Sequence, residues 1–344
     1  MNDRLLRACR REKTDTRPVW FMRQAGRYLP EYRKIREEYD LLTICRTPGL
    51  AAEVAAIPVE KFGLDAAIVF ADLLTPLEGM NITIKLIENS GPFVDEPIRS
   101  AQDVKRLKGF EPDAVAYVYD NIRMLSGLLG DVPIIGFCGA PFTLASYLIE
   151  GRVSRDLVET RRFMLTAGKA WRELMDKLTN MALEYLKMQI KAGARVVQIF
   201  DSWVGCLNPS QYTTYILPHM RKLLNQLSTH DIPIIHFTTG NPALLSAISS
   251  AGGHVIGVDW RIDIGEAWRI VGYDKAIQGN LDPAILLASP ATIKQAAEEI
   301  LRKTAGRPGH IFNLGHGIHP TTPPENVKLL VEFVREFDAN YADG

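Results

Sequence analysis

The sequence of 344 residues predicts an α/β fold, a single-domain (β/α)8 TIM barrel. Three observations carry that expectation. Short continuous apolar runs recur eight times, helical patterns fill the intervals, and no Gly-x-Gly-x-x-Gly turn follows the first run. Continuous apolar runs of this kind mark strands buried on both faces, as in parallel sheets. An open doubly wound sheet could use the same units but usually has fewer strands and opens on a glycine-rich phosphate turn.

The runs are VWFM (19–22), AAIVF (66–70), PIIGF (133–137), RVVQIF (195–200), PIIHF (233–237), HVIGVDW (254–260), KAIQGN (275–280) and HIFNLGHG (310–317). Between them, Trp171, Leu174, Met175, Leu178, Ala182, Tyr185 and Leu186 form an i, i+3, i+4, i+7 stripe that stops before Gly193. A second helix is expected from Pro48 through Phe62, and a third from Val327 towards Phe337. The segment MNITIKLIENSGPFVDEPI (80–98) alternates in polarity and contains Gly-Pro, which predicts an inserted β-hairpin. No linker, low-complexity tract or tandem repeat divides the chain, so residues 1–344 are expected to form one domain.

Lys+Arg and Asp+Glu number 40 each, so the formal net charge is zero. That argues against a nucleic-acid partner and makes any positive site a local one. The cysteines, Cys9, Cys45, Cys138 and Cys206, are far apart and form no C-x-x-C pair. A reduced compartment without disulfides or a structural zinc knot is expected. The N-terminus lacks a secretory pattern, and no window approaches the roughly 18 apolar residues of a membrane span. A soluble cytoplasmic protein is expected.

In a barrel, chemistry gathers at the carboxyl ends of the strands. The polar residues at those ends are Arg23 and Arg27, Asp72, Tyr147 a little beyond strand three, Asp201 and Ser202, His236, Asp259, Gln278 and Asn280, and His316. Each has a plainer alternative. The arginines could lie on a solvated loop, Asp72 and the Asp201-Ser202 pair could cap helices, Tyr147 could be a core aromatic, and His236 a satisfied core histidine. His316 lies between glycines, which would let the backbone bend and bring the ring to a cavity surface. The set has no nucleophile–base pair for acyl transfer and no His/Cys group at metal-ligand spacing. It offers guanidinium forks for carboxylates or phosphates, and one carboxylate for something cationic or rich in N–H groups.

PVWFMRQAGRYLPEYR and IGFCGAPFTLASYLIEG resemble the two signature segments of the uroporphyrinogen decarboxylase family, and QGNLDP and NLGHGIHP resemble its later motifs. The resemblance runs in order over nearly the whole chain. It implies a (β/α)8 barrel, a homodimer, and an enzyme that uses no cofactor and no metal. The implied reaction removes carbon dioxide from the four acetate side chains of uroporphyrinogen III to give coproporphyrinogen III, on the route to haem. Motif by motif, the resemblance implies substrate binding by Arg23, Gln24, Ala25, Gly26, Arg27, Asp72, Tyr147, Ser202 and His316. Arg23 and Asp72 are the implied catalytic pair. Arg23 is a poor acid. The proton donor therefore stays open between His316, Tyr147, a water and a substrate carboxyl. Relatives that are corrinoid-linked methyltransferases resemble this barrel but carry His-x-Cys at strand five to hold zinc. Here Thr238 follows His236 at that spacing, and no cysteine follows Cys206. A non-catalytic tetrapyrrole-binding protein would keep the arginines and could dispense with Asp72.

Overall fold

The computed structural model describes residues 3–87, 91–304 and 306–342. The strands are β1 (Ala67–Ile68), β2 (Ile84–Ile87), β3 (Gly91–Val94), β4 (Ile134–Gly139), β5 (Val196–Asp201), β6 (Ile234–Thr238), β7 (Val255–Gly257), β8 (Ala276–Leu281) and β9 (His310–Leu314). Among the described residues, β1-β4-β5-β6-β7-β8-β9 form one parallel sheet in chain order. A sheet that adds each new strand on the same side, every strand twisted, curls round on itself. β2 and β3 form a separate antiparallel pair inside segment 80–98, with Ile84 opposite Val94. Residues 88–90, which would join them as a hairpin, lie outside the described residues.

The first apolar run departs from the expected strand. It makes a single parallel bridge, Val19 to Phe312 of β9. On that side the Phe312 amide donates to the Pro18 carbonyl at 3.0 Å. On the other side the Asp65 amide donates to the Val19 carbonyl, and the Val19 amide donates to the Asp65 carboxylate, both at 2.9 Å. The run stops because the chain turns at once: the Gln24 amide donates to the Phe21 carbonyl at 3.0 Å, and Arg23 adopts a left-handed φ of 58°.

Alternation along each strand divides the apolar side chains. Val196 of β5, Ile235 and Phe237 of β6, Val255, Ala276 and Ile311 pack with Trp20 and with Leu5 and Leu6 of the helix Arg4–Cys9. Val197 and Ile199 of β5 join the larger cluster under the helices. Gln278, expected at a strand end, is built into the first cluster. Its amide nitrogen donates to Gln198 at 3.0 Å, and its oxygen accepts from the Trp20 indole at 3.1 Å.

The striped helix runs Gly168–Ala192 and ends on Gly193 in the left-handed region, φ 119°, where glycine meets no Cβ penalty. The helix Pro48–Phe62 matches its expected span. The last helix, Pro324–Ala342, starts before Val327, because proline fits a first turn whose amides need no partner.

His310 opens β9 fully enclosed. Its ring lies 2.9 Å from the Thr304 hydroxyl and 2.9 Å from the Gly279 carbonyl. Burial, with Arg17 adding to it, pushes its pKa down from 6.5 to about 3. The unfolded chain takes up this proton near its ordinary value and the folded chain resists it. The stabilisation is therefore complete above about 6.5 and is lost as pH falls from there towards 3. Urea midpoints measured from pH 7 to pH 4 should fall, and His310→Gln should make the slope shallower; an unchanged slope would assign it to other groups.

Candidate active site

The turn after residues 18–22 is fixed from inside. Gln24 is buried, its side-chain nitrogen donating to the Ala66 carbonyl at 3.0 Å and its oxygen accepting from the Phe21 amide at 3.1 Å. The Tyr28 hydroxyl donates to the Gln24 carbonyl at 2.8 Å. Gln24 thus shapes the loop with its side chain. The amides of Ala25, Gly26 and Arg27 donate to no group among the described residues, and Arg23 and Arg27 are exposed. A Cβ on Gly26 would come within 3.0 Å of the Arg23 carbonyl, so a larger residue would deform the turn.

Beyond β1, the Asp72 carboxylate accepts the Leu74 amide at 2.9 Å through Oδ1. That bond closes a turn within the loop and is not the expected helix cap, because the next helix, Thr75–Glu78, has no side-chain cap among the described residues; it fixes the carboxylate while Oδ2 accepts no bond among them. Burial raises the Asp72 pKa above its ordinary value; the Leu74 amide and Arg23 oppose that, and the Glu78 charge reinforces it. Glu78 is itself held by Arg46 at 3.0 Å and by the Tyr117 hydroxyl at 3.1 Å.

Tyr147 lies on the helix Pro141–Glu150, which follows β4. Its ring meets Trp203 edge-on, with centroids 5.7 Å apart. The Thr143 hydroxyl, on the same helix, donates to buried Asp201 at 3.2 Å and accepts the Trp203 amide at 3.4 Å. This clasp ties the Tyr147 helix to the loop that carries Ser202, whose carbonyl accepts the Thr239 hydroxyl at 2.7 Å. Burial raises the Tyr147 pKa; Trp203 and Arg23 pull it down and Asp72 pushes it up.

Beyond β9, the glycines flanking His316 serve a purpose different from the expected bend. Neither has a left-handed φ. Each permits a close approach: a Cβ on Gly315 would sit 2.5 Å from the Trp260 amide nitrogen, and one on Gly317 would overlap the Arg23 stem, 2.7 Å from its Cγ. The His316 ring packs edge-on against Phe237 at 6.4 Å. Burial first, then Arg23, lowers its pKa to about 4, with Asp259 opposing and Arg261 assisting. His316 is therefore neutral near pH 7.

Arg23, Asp72, Tyr147 and His316 come together. Arg23 acts electrostatically on the other three, and Asp72 acts on Tyr147. Ser202 stands next to Trp203, at the edge of that group. Arg27 is exposed; its carbonyl accepts from the Arg33 guanidinium at 3.1 Å, and its side chain forms no hydrogen bond or ion pair among the described residues. His236 is buried as expected of a core residue, yet neither ring nitrogen has a hydrogen-bond partner among the described residues, and the Asp201 carboxylate is 3.8 Å from Nε2. Asn280 donates to the carbonyls of Asp259 and Ile262 at 2.9 and 2.7 Å and braces that loop. Glu78, Thr143, Trp203 and Arg261 were not singled out from sequence. The fold brings Glu78 towards Asp72, Thr143 to Asp201, Trp203 to Tyr147 and Arg261 to Asp259, and no spacing in the sequence signals these pairings.

Polar side chains gathered beyond the carboxyl ends of a curled parallel sheet define an α/β enzyme of the barrel-like class. The comparisons narrow this. The family profile for uroporphyrinogen decarboxylase (URO-D) matches residues 1–337, and the chain belongs to that family. It is 50% identical over 341 residues to a uroporphyrinogen decarboxylase of Carboxydothermus hydrogenoformans, covering 98% of this chain and 97% of that one. It is also 50% identical over 336 residues to one from Sorangium cellulosum, covering 97% and 96%. Among solved structures, a methyltransferase from Methanosarcina mazei superposes with TM-score 0.81 at 23% identity, covering 98% of each chain. A B12-independent methionine synthase from Shewanella superposes with TM-score 0.55 at 12% identity, covering 83% and 87%. At such identities the likeness speaks for the fold alone.

Gly317→Ala should displace Arg23 without emptying any core position. Decarboxylase turnover is expected to fall at least about tenfold while Tm changes little, because surface substitutions outside the core usually stay within about 0.5 kcal/mol. Turnover equal to wild type would mean that the position of the Arg23 stem is immaterial.

Proposed function

We propose that this chain is a cofactor-independent carboxy-lyase that removes the four acetate carboxyl groups of uroporphyrinogen III, giving coproporphyrinogen III for tetrapyrrole and haem synthesis. The observation that carries the reading is half-identity over nearly the full length of proteins bearing that activity as their name. The site chemistry supports it. The substrate carries eight carboxylates around four pyrrole N–H groups. Planar guanidinium forks suit the carboxylates, and Arg23 and Arg27 lie exposed on one turn. Two carboxylates about 4 Å apart at an effective dielectric of 20 repel by about 4 kcal/mol, so Asp72 belongs under the ring centre rather than at a carboxylate. There its free Oδ2 accepts pyrrole N–H groups, Arg23 and Arg27 bind rim carboxylates with the amides of residues 25–27, and Tyr147, Ser202 and His316 orient the ring.

Each round takes up one proton and releases one carbon dioxide. Protonation of a pyrrole carbon makes the ring cationic. The bond from the acetate methylene to its carboxylate then breaks, and its electron pair flows into the ring. A proton adds to the exposed methylene carbon as the ring loses its own, leaving a methyl group. Ionised Asp72 stabilises the cation as it forms. Neutral His316 can give an N–H to a carboxylate but holds no imidazolium proton near pH 7. Tyr147, its pKa raised, is no better matched as an acid.

The hydrogen bonds on both sides of residues 18–20 support a closed (β/α)8 barrel, with that segment as the eighth stave. A single domain, a homodimer, a cytoplasmic location and no nucleic-acid partner complete the proposal. Among the described residues no helix is long and apolar enough to cross a membrane.

The test is an anaerobic incubation in the dark with uroporphyrinogen III and no added metal or cofactor, with products separated by carboxyl number. Progressive loss from eight carboxylates to four is expected, and an unchanged octacarboxylate beside an active control enzyme overturns the reading. Asp72→Asn should lose about 10²–10³ in kcat, and Asp72→Glu part of it through misplacement. A folded Asp72→Asn enzyme with wild-type turnover would remove Asp72 from the chemistry.

A further inference from the structure

We infer that Arg261, in the loop after β7, binds a propionate carboxylate of the substrate and so determines affinity rather than rate. The inference rests on the decarboxylase reading above. Arg261 is built as a fixed donor. Its own amide donates to Asp259 Oδ1 at 3.0 Å, and its guanidinium donates through one nitrogen to Asp259 Oδ2. The plane of the guanidinium lies over the Trp260 ring, 4.2 Å from the centroid. Asp259 is 4% exposed, and the Gly240 amide at 2.7 Å shares its charge. The Arg261 side chain remains 48% exposed. A guanidinium carries five N–H donors, and Asp259 accepts through one of its nitrogens. Its other nitrogens bond no group among the described residues, so a two-pronged edge is available to a carboxylate at little cost in side-chain entropy.

The position is at the mouth. Gly315 lies against the Trp260 backbone and Gly317 against the Arg23 stem, so His316 stands between Arg23 and the loop that carries Arg261. Arg261 thus stands across His316 from Arg23. A substrate ring seated on Asp72 would reach it with its longer side chains. Those are the propionates, which survive all four decarboxylations, whereas the shorter acetates must lie near Asp72.

Steady-state kinetics should be measured with uroporphyrinogen III and with the pentacarboxylate intermediate, for wild type, Arg261→Gln and Arg261→Lys. Wild-type turnover tests the decarboxylase reading separately from this inference. Arg261→Gln is expected to raise KM about tenfold for both substrates, with kcat within about twofold, as suits one lost charge-assisted contact. Arg261→Lys, which keeps a cation beside Asp259, should recover part of the affinity. Arg261→Gln with wild-type KM and a lowered Tm would make the residue a brace for Asp259 only and overturn the inference. A KM effect confined to the octacarboxylate would overturn it too, because it would place an acetate there.

Discussion

The seating of residues 18–20 between β9 and the start of β1 is the constraint on which the site depends. Asp65 makes it. Its carboxylate is fully buried, accepts the Val19 amide and is paired with Arg4 at 3.1 Å. Its own amide closes a second bond to the Val19 carbonyl. Removing one partner of a buried charge typically costs about 3–5 kcal/mol, so the segment has little freedom to slide. Only two residues separate Trp20 from Arg23, and Gln24 is pinned to Ala66 on the way into β1. The same seam therefore sets both where Arg23 emerges and where the chain sets out towards Asp72.

Charge within the site is graded rather than paired. Asp72 and His316 are each pushed by burial towards their neutral forms. Arg23 draws Asp72 back towards ionisation and drives His316 further from it. One guanidinium thus acts on both, in opposite senses with respect to charge. A ligand with carboxylates at its rim and N–H groups at its centre is the complement of that arrangement. The electrostatics are set before it arrives, which is the condition under which fixed charges accelerate a reaction that builds charge.

Much of the fold was legible because burial on both faces leaves an unbroken apolar run. The runs at 133–137, 195–200 and 233–237 became β4, β5 and β6 with small changes at the ends. The run at 19–22 read the same way and formed one bridge, because its partner on one side is the Asp65 side chain rather than a ladder. Periodicity cannot see that substitution. Within the site, Arg23, Asp72, Tyr147 and His316 stood out by position at strand ends. The plainer reading of Asp72 as a helix cap does not hold, since its Oδ1 bonds the Leu74 amide within the loop while the helix Thr75–Glu78 has no side-chain cap among the described residues. Gln278 stood out as a polar residue at a strand end and Gln24 through the family resemblance, yet both turn inward to bond other buried groups. Arg261 was hidden because its significance comes from Asp259, Trp260 and Gly315, which only the fold brings together.

The long signature segment therefore mixes two kinds of constraint. In RQAGRY, Gln24, Gly26 and Tyr28 build a turn, and Arg23 and Arg27 use it. The turn residues are as restricted as the arginines, because a change at Gly26 or Gln24 would redirect a guanidinium whose position matters to within a fraction of an ångström. The likeness to a methyltransferase at TM-score 0.81 makes the same point on a larger scale. A curled sheet of this shape supplies a ring of strand ends and leaves the chemistry to what stands on them. At the end of β6 this chain places His236 and Thr238, both buried, and no thiolate. At the ends of β1 and β9 it places a carboxylate and an imidazole under one guanidinium. Asp72 and His316 stand beyond the strands, where residues can change while every buried strand stays the same.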